Sequence, residues 1–530
     1  MPSETTEALF ARYGPRYRWL ATVTVMLGTI AAMLTTTTVN VAIPDIMGTF
    51  GIGQDRAQWL STGALAAMTV AMLLNAWLIR SFGQRRVFVG ALGIFIVALI
   101  LAGLSPNETV LIFCRIVQGA VAGLMQPFSV YTLFRVFPPE RRGSAMGIFG
   151  IGVILGPALG PTMGGLLIEY FNWRYVFYLA LPFSVTAILL GSVFMPEREE
   201  SGARADFDWT GFLLLSVSLT CLLIGLSNGQ REGWHSGYIV TLLGLAATTA
   251  AAFFVWELLA PQPLVDLRVL ANARFTAAAA VAFIFGAGLF GSIYLVPLFV
   301  QTVQGFTPLA AGLLLMPGGL ALGLLMPVGG HLSDRLPARG LIIAGLLCAS
   351  LSAYWLGSVD TNTPFWTIAW CVIISYAGLG LIKPTLIVAA LRALRPELLV
   401  QGSGMINFSR QLGGAFGVNV LSVILDRRTF FHSDALASGQ TAGNSATVEL
   451  LRQMQDLLAR AGVPPDLQFP GAMHFLDRVV YAQAYTLGFR DSFFIVAIVF
   501  MLALIPAWIM GTTAVRNTPR PAAATPMGPQ

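Results

Sequence analysis

Fourteen separate stretches of this chain are each long and apolar enough to cross a bilayer. No other feature narrows its possible folds as far. A hydrocarbon core about 30 Å thick is spanned by about 20 apolar residues in a helix. Inside it every backbone N–H and C=O must bond within the protein, which leaves helices or closed barrels. The runs cover residues 18–44, 58–79, 87–104, 109–136, 143–169, 174–195, 209–228, 237–259, 275–303, 308–331, 339–357, 364–390, 402–425 and 491–513. They predict an all-α polytopic membrane protein with 14 transmembrane helices. Charged residues make up 11% of the chain, against about 25% in soluble domains. The first run is too long for the apolar core of a secretory signal and lacks a small-residue cleavage site, so it reads as a span.

The basic residues test that count. With the amino terminus in the cytoplasm, 19 of the 31 Lys and Arg fall on the cytoplasmic side, 3 in short outer loops, 6 in a long outer loop and 3 within spans. Cytoplasmic enrichment of Lys and Arg is what membrane insertion selects. The net charge of +6 therefore reports topology and gives no reason to expect a nucleic-acid partner. Cys114, Cys221, Cys348 and Cys371 all lie in spans and read as small apolar residues. The four histidines have no metal-ligand spacing. There is no phosphate loop or nucleophile motif, so neither an enzyme, a cofactor nor a metal is expected.

An internal repeat organises the spans. "GLMQPFSVYTLFRVFPPERRGSAM" (Gly123–Met146) echoes "GLIKPTLIVAALRALRPELLVQGSGM" (Gly380–Met405), and "AWLIRSFGQR" (Ala76–Arg85) echoes "GHLSDRLPAR" (Gly330–Arg339). Both echoes fall in the same order at nearly the same offset. They predict a cytoplasmic tail (1–17), a six-helix bundle (18–195), a linker with two inserted spans (196–274), a second six-helix bundle (275–513) holding an outer loop (426–490), and a disordered tail (514–530). An even number of spans separates the echoes, so the halves have parallel topology, the arrangement that places a site near the midplane.

Polar residues inside the spans are the candidate site. In span 4, Arg115, Gln118, Gly119 and Gln126 share a helix face, as do Asn407, Arg410, Gln411 and Gly414 in span 13. An arginine at the centre of a span is costly, and usually faces a bundle interior or water. Each is either bonded to backbone carbonyls or lines a polar cavity. Lys383, the only lysine, lies inside span 12 and matches Gln126 across the repeat; it either lines the cavity or snorkels to the cytoplasmic end. Thr35, Thr36 and Thr37 with Asn40 either line the cavity on span 1 or bond back to their own helix. No carboxylate is placed near the middle of either repeat. Asp45 and Glu169 stand near the outer ends of spans 1 and 5 and are the first candidates for proton carriers. Gly152, Gly156, Gly160 and Gly164, four apart on span 5, make a smooth ridge for close helix packing.

At these residues the chain resembles the major facilitator superfamily, and specifically its fourteen-span EmrB/QacA-type drug:proton antiporters. "RIVQGAVAG" resembles the span-4 motif through Arg115, Gln118, Gly119 and Gly123. "GPALGPTMGG" resembles the span-5 antiporter motif through Gly156, Gly160, Pro161, Gly164 and Gly165. "NWRYVFYLALP" and "PLVDLRVLANARF" are similar to the segments entering spans 6 and 9. The resemblance implies two six-helix bundles plus a two-helix insert, alternating access and efflux of drug-like amphiphiles. It also implies that Pro161 bends span 5. Departures are equally specific. Thr35 stands where the family carries an intramembrane aspartate. Arg80 stands where a latching aspartate is usual, although Gly83 remains; the second copy keeps Asp334 and Arg335 but has Pro337 in place of glycine.

The expected function is alternating-access export of amphipathic small molecules from the bacterial inner membrane, favouring anionic or neutral substrates because Arg115, Lys383 and Arg410 have no acid at their depth. The expected partners are the lipid bilayer and the substrate. Protons, and a periplasmic adaptor docked on 426–490, are further candidates. The alternatives are a facilitator or exchanger without proton coupling, and a non-transporting receptor or scaffold on the same fold.

Overall fold

The computed structural model of the chain describes residues 5–57, 59–197, 207–261, 263–264, 267–441 and 443–511. The side chains of several helical residues, Asn40 and Pro161 among them, lie outside the described residues, as does the tail 514–530. Every regular element described is helical.

Spans 1 to 6 are Tyr17–Phe50, Trp59–Phe82, Gln84–Gly103, Glu108–Val136, Arg142–Tyr170 and Tyr175–Phe194. Spans 7 and 8 are Trp209–Glu232 and Gly237–Leu259. Spans 9 to 12 are Ala273–Thr302, Pro308–Arg335, Ala338–Leu356 and Phe365–Arg392; span 13 is Leu399–Ser438 and span 14 is Pro465–Leu502, continued by Leu504–Ile509. Thirteen helices among the described residues meet the length and hydropathy of a membrane crossing. Span 5 is a continuous helix of 29 residues whose middle includes undescribed side chains.

Each bundle has its own apolar core, one built on spans 1–6 and one on spans 9–14. Glycines set the closest approaches. Gly119 and Gly123 of span 4 press on the carbonyls of Ala64 and Met68 in span 2, where a side chain would collide with backbone. Gly329 and Gly380 pack span 10 against span 12 in the same way. Span 1 lies on span 5 and span 9 on span 13. Between bundles, span 5 meets span 10, and span 13 meets span 2, so the two halves cross-pack with approximate two-fold symmetry.

The ends of the helices that carry Arg85, Arg86, Arg141, Arg142, Arg268, Arg274, Arg339 and Arg395 form one basic face. At the opposite face spans 13 and 14 do not stop at the membrane. Span 13 runs on to Ser438, a short helix Ser445–Arg460 follows, and span 14 begins at Pro465. The stretch 426–490 therefore holds one separate helix, Ser445–Arg460, while the residues around 471–485 are continuous with span 14. Arg428 and His432 of span 13 both bond Oδ2 of Asp491 in span 14, His432 at 2.8 Å, and tie the base of this helical cap.

Candidate functional site

The two bundles meet along one seam, and its described hydrogen bonds lie at the basic face and near the midplane. At the basic face the amino-terminal turn of span 5 has N–H groups with no partner in its own helix, and the helix dipole makes that end positive. Asp334, from the other bundle, covers it. Its carboxylate accepts from the N–H of Gly143 at 2.8 Å, the N–H of Ser144 at 2.9 Å and the hydroxyl of Ser144 at 2.9 Å. Arg392 donates to the Pro139 carbonyl at 2.7 Å and lies 3.5 Å from Asp334. Gly143 and Gly330 face each other so closely that a side chain on either would strike the other's backbone. Arg335 and Arg80 are exposed on the same face, and Arg80 bonds the carbonyl of Ala76 on its own helix. Gly83 holds a φ of 81° at the start of span 3, a conformation that glycine adopts without strain.

Ten residues in from its basic end, span 4 presents Gln126 to the seam. At 1.5 Å per residue that is about 15 Å deep, close to the middle of a hydrocarbon core about 30 Å thick. Arg410 of span 13 donates to the Gln126 side-chain carbonyl at 2.7 Å, across the seam, and Gln126 donates to the Met33 sulfur at 3.3 Å. Two turns before Arg410, Ser403 donates to the carbonyl of Pro127, next to Gln126, at 3.2 Å. Gln126, Lys383 and Asn407 line a cavity of about 20 Å³, closed by Met146, Phe149 and Met326; that is room for about one water. Asn407 donates its amide to the Ser403 carbonyl at 2.9 Å and so directs its oxygen away from its own helix. Among the described residues Lys383 has no hydrogen-bond or ion-pair partner, and Nε of Arg410 is buried without one. Gln411 is buried on the same helix.

Arg115 belongs to a second cluster, inside the first bundle. It is 2% exposed. Its guanidinium donates to the carbonyls of Leu60 in span 2 at 3.1 Å and Thr35 in span 1 at 3.3 Å, and to the Gln118 side chain at 3.1 Å. Gln118 in turn donates to Ala98 of span 3 at 3.0 Å. The pair thus cross-links four spans. The threonine hydroxyls are spent locally: Thr35 donates to Ala31 at 3.0 Å, Thr36 to Met33 at 2.7 Å and Thr37 to Leu34 at 3.1 Å. Thr37 also lies 3.3 Å from the Gly156 carbonyl in span 5. The span-5 ridge seats on this surface: Gly152 meets Met26, Gly156 meets Met33, Gly160 meets Thr37 and Gly164 meets Thr38. Gly165 faces open space. Asp45 and Glu169 are exposed at the face opposite the basic one.

The structure therefore brings together Gln126, Lys383, Asn407 and Arg410, sets Arg115 and Gln118 apart from them, and leaves both outer acids at the rim. Sequence reasoning passed over Ser403, Met326 and Arg392, although the last matches Arg135 in the repeat. It also passed over Asn75, fully buried in span 2 with both amide atoms unbonded among the described residues; a single asparagine in "MLLNAWL" was the visible signal.

Two pseudo-symmetric helical bundles that meet over a polar, mid-membrane seam define a multi-pass membrane transporter of small molecules. The chain belongs to the Major Facilitator Superfamily, which it matches over residues 25–418. It is 28% identical over 493 residues to the fatty acid resistance protein FarB of Neisseria gonorrhoeae, covering 92% of this chain and 96% of FarB. It is 28% identical over 440 residues to the multidrug export protein EmrB of Escherichia coli (83% and 86% covered) and 31% identical over 420 residues to a multidrug resistance protein B homolog of Mycobacterium tuberculosis (78% and 77%). The structure resembles the proton:xylose symporter XylE with a TM-score of 0.57 at 14% identity, over 94% of this chain and 96% of XylE. The protein is a transporter of the EmrB-type multidrug-efflux group.

Proposed function

We propose that the protein exports amphipathic molecules with anionic or neutral head groups by alternating access across a bacterial inner membrane. The observation that carries this reading is the company kept by Lys383 and Arg410. Two cations meet Gln126 and Asn407 at the midplane, and among the described residues no carboxylate joins them. A carboxylate or phosphate on a substrate fits that pocket; a lipophilic cation does not. A relative named for fatty acid resistance, FarB, is consistent with an anionic amphiphile. The basic face is assigned to the cytoplasm by the distribution of Lys and Arg, with both termini there, and the bundles in this structure are then latched shut on the cytoplasmic side by Asp334.

Thr35 has no titratable group, and its hydroxyl already bonds its own helix. Coupling to protons at the position of Thr35 therefore has no carrier, and a proton-driven cycle would run through Asp45 or Glu169, nearer the outer face. The helical cap from 426 to 490 supplies a surface for a periplasmic adaptor.

The test is transport into proteoliposomes of an anionic amphiphile and a neutral analogue of similar size. Lys383→Gln copies the matching residue of the first repeat, Gln126, so the fold tolerates it. It is expected to slow the anion about tenfold, equivalent to about 1.4 kcal/mol, and the neutral analogue much less. A native protein that carries lipophilic cations and excludes anions refutes the charge preference. A protein that moves none of these molecules under any gradient would leave the receptor or scaffold reading standing.

A further inference from the structure

The seam between the bundles has two sides, and the structure treats them differently. On one side span 2 meets span 13. There the insert lies over the junction: Leu215 and Leu219 of span 7 and Phe253 of span 8 form a buried cluster with Val70 and Leu73 of span 2, backed by Met405, Phe408 and Leu412 of span 13. These residues stand six to thirteen positions from the basic ends of spans 7, 2 and 13, about 9–20 Å deep. On the other side span 5 meets span 10 at the same depth. Among the described residues the insert makes no comparable contact there. Its edge is bare: Ile151, one turn beyond Gly147, is 38% exposed, and Leu320, two turns from Pro327, is 58% exposed.

The uncovered side is also the one directly in front of the pocket. Met146, Phe149, Gly150 and Met326 wall off Gln126, Lys383 and Asn407 from it. The wall is closely packed, but its backbone approach is glycine against methionine and proline: Gly147 and Gly150 meet Met326 and Pro327. Methionine is unbranched and adapts its shape readily. The covered side is an interdigitated set of leucine, valine and phenylalanine.

We propose that membrane-dissolved amphiphiles reach the Lys383 pocket sideways, from the leaflet at the basic face, between spans 5 and 10, while the two-span insert seals the matching opening between spans 2 and 13. This rests on the export reading above. When the bundles part at the basic face, the slot between spans 5 and 10 opens to lipid and the other stays roofed by span 7. A long-chain substrate then presents its head group to Lys383 while its chain remains in hydrocarbon. It never has to carry that chain through water, where each exposed methylene is unfavourable.

The experiment uses the full chain in proteoliposomes with two fluorescent carboxylates sharing one head group. One has a chain of about sixteen carbons and partitions into lipid; the other has about four and stays in water. Ile151→Trp and Leu320→Trp narrow the slot from its lipid side. Leu213→Trp, on the exposed face of the insert, is the control. Each slot variant is expected to slow the long-chain probe about fivefold or more at low load and to leave the short-chain probe within about twofold; the control leaves both unchanged. A photoreactive long-chain carboxylate should label spans 5 and 10 in competition with unlabelled substrate, a readout independent of turnover. Equal slowing of both probes, or no slowing of the long one together with uncompeted labelling, overturns the lateral route while the export reading stands. A native protein that carries neither carboxylate overturns the export reading and this inference with it.

Discussion

Replacing Asp334 by asparagine should unlatch the basic face. The carboxylate holds three donors at the start of span 5, two backbone N–H groups and a hydroxyl, at 2.8–2.9 Å, and its side chain is only 6% exposed. Hydrogen bonds to a charged group contribute about 1.5–3 kcal/mol each, neutral ones about 1 kcal/mol. An anion at a helix amino terminus adds about 0.3–1 kcal/mol. Asparagine keeps the shape and one acceptor, but it turns an NH2 group toward donors where an oxygen had accepted. The net loss is about 2 kcal/mol once water in the opened seam compensates part of it, a shift of about thirtyfold in favour of the open basic face. Spin labels at Arg86 and Arg395, exposed on opposite bundles at that face, report the change as a longer distance population in pulsed electron paramagnetic resonance. The four cysteines are replaced first. Ser144→Ala, which removes one donor, should move the same population less. If the distance distribution of Asp334→Asn matches that of the native protein, the latch argument fails.

Arg80→Asp places a carboxylate where the repeat puts the counterpart of Asp334, facing the start of span 13; the same spin-label pair should show a tighter basic face and transport should slow. Arg115→Ala removes three donated bonds, two of which join span 4 to spans 1 and 2. It should cost about 3 kcal/mol, seen as a lower unfolding midpoint in detergent with transport lost, and Arg115→Lys should recover only part because an ammonium lacks the planar fork; an unchanged midpoint would return Arg115 to the list of cavity residues. Gly119→Ala drives a methyl into the Ala64 carbonyl and should lower stability by about 1–3 kcal/mol or more, whereas Gly165→Ala, in open space, should leave the midpoint unmoved.

The spans were legible because a bilayer enforces them. Once about 20 consecutive residues must be apolar, length and composition are enough, and span 5 was found as readily as the rest despite its eight glycines. The continuity of the cap with spans 13 and 14 was not legible. Outside the membrane spans 13 and 14 acquire charge, as in "DRRTFFHSDALAS", without ceasing to be helices. A change of solvent there resembles the end of an element. The threonine cluster shows a different limit. Sequence marks the hydroxyls as polar, but a threonine in a helix can donate to the carbonyl a turn behind it, and the pattern of residues is the same whether it does so or faces water.

Arg115 and Arg410 carry this furthest. Each sits on a polar face beside a glutamine, Arg115 three residues before Gln118 and Arg410 one before Gln411, and each meets the same demand for partners inside a membrane. Their fates differ through what lies opposite. Span 4 packs so tightly on span 2, through Gly119 and Gly123, that Arg115 finds backbone carbonyls within its own bundle. Span 13 lies at the seam, so the nearest acceptor for Arg410 is Gln126 of the other bundle. A bond within one rigid bundle survives alternation; a bond between bundles must break whenever they part over that depth. Arg410 then loses its partner at the moment Lys383 beside it is uncovered, and under the charge preference proposed above an anion is what both would take up. At the midplane of the seam Arg410 is bonded to the neutral Gln126 and, among the described residues, neither it nor Lys383 meets an acid, so on the proposed reading the closed state needs no substrate and still leaves a place for its charge.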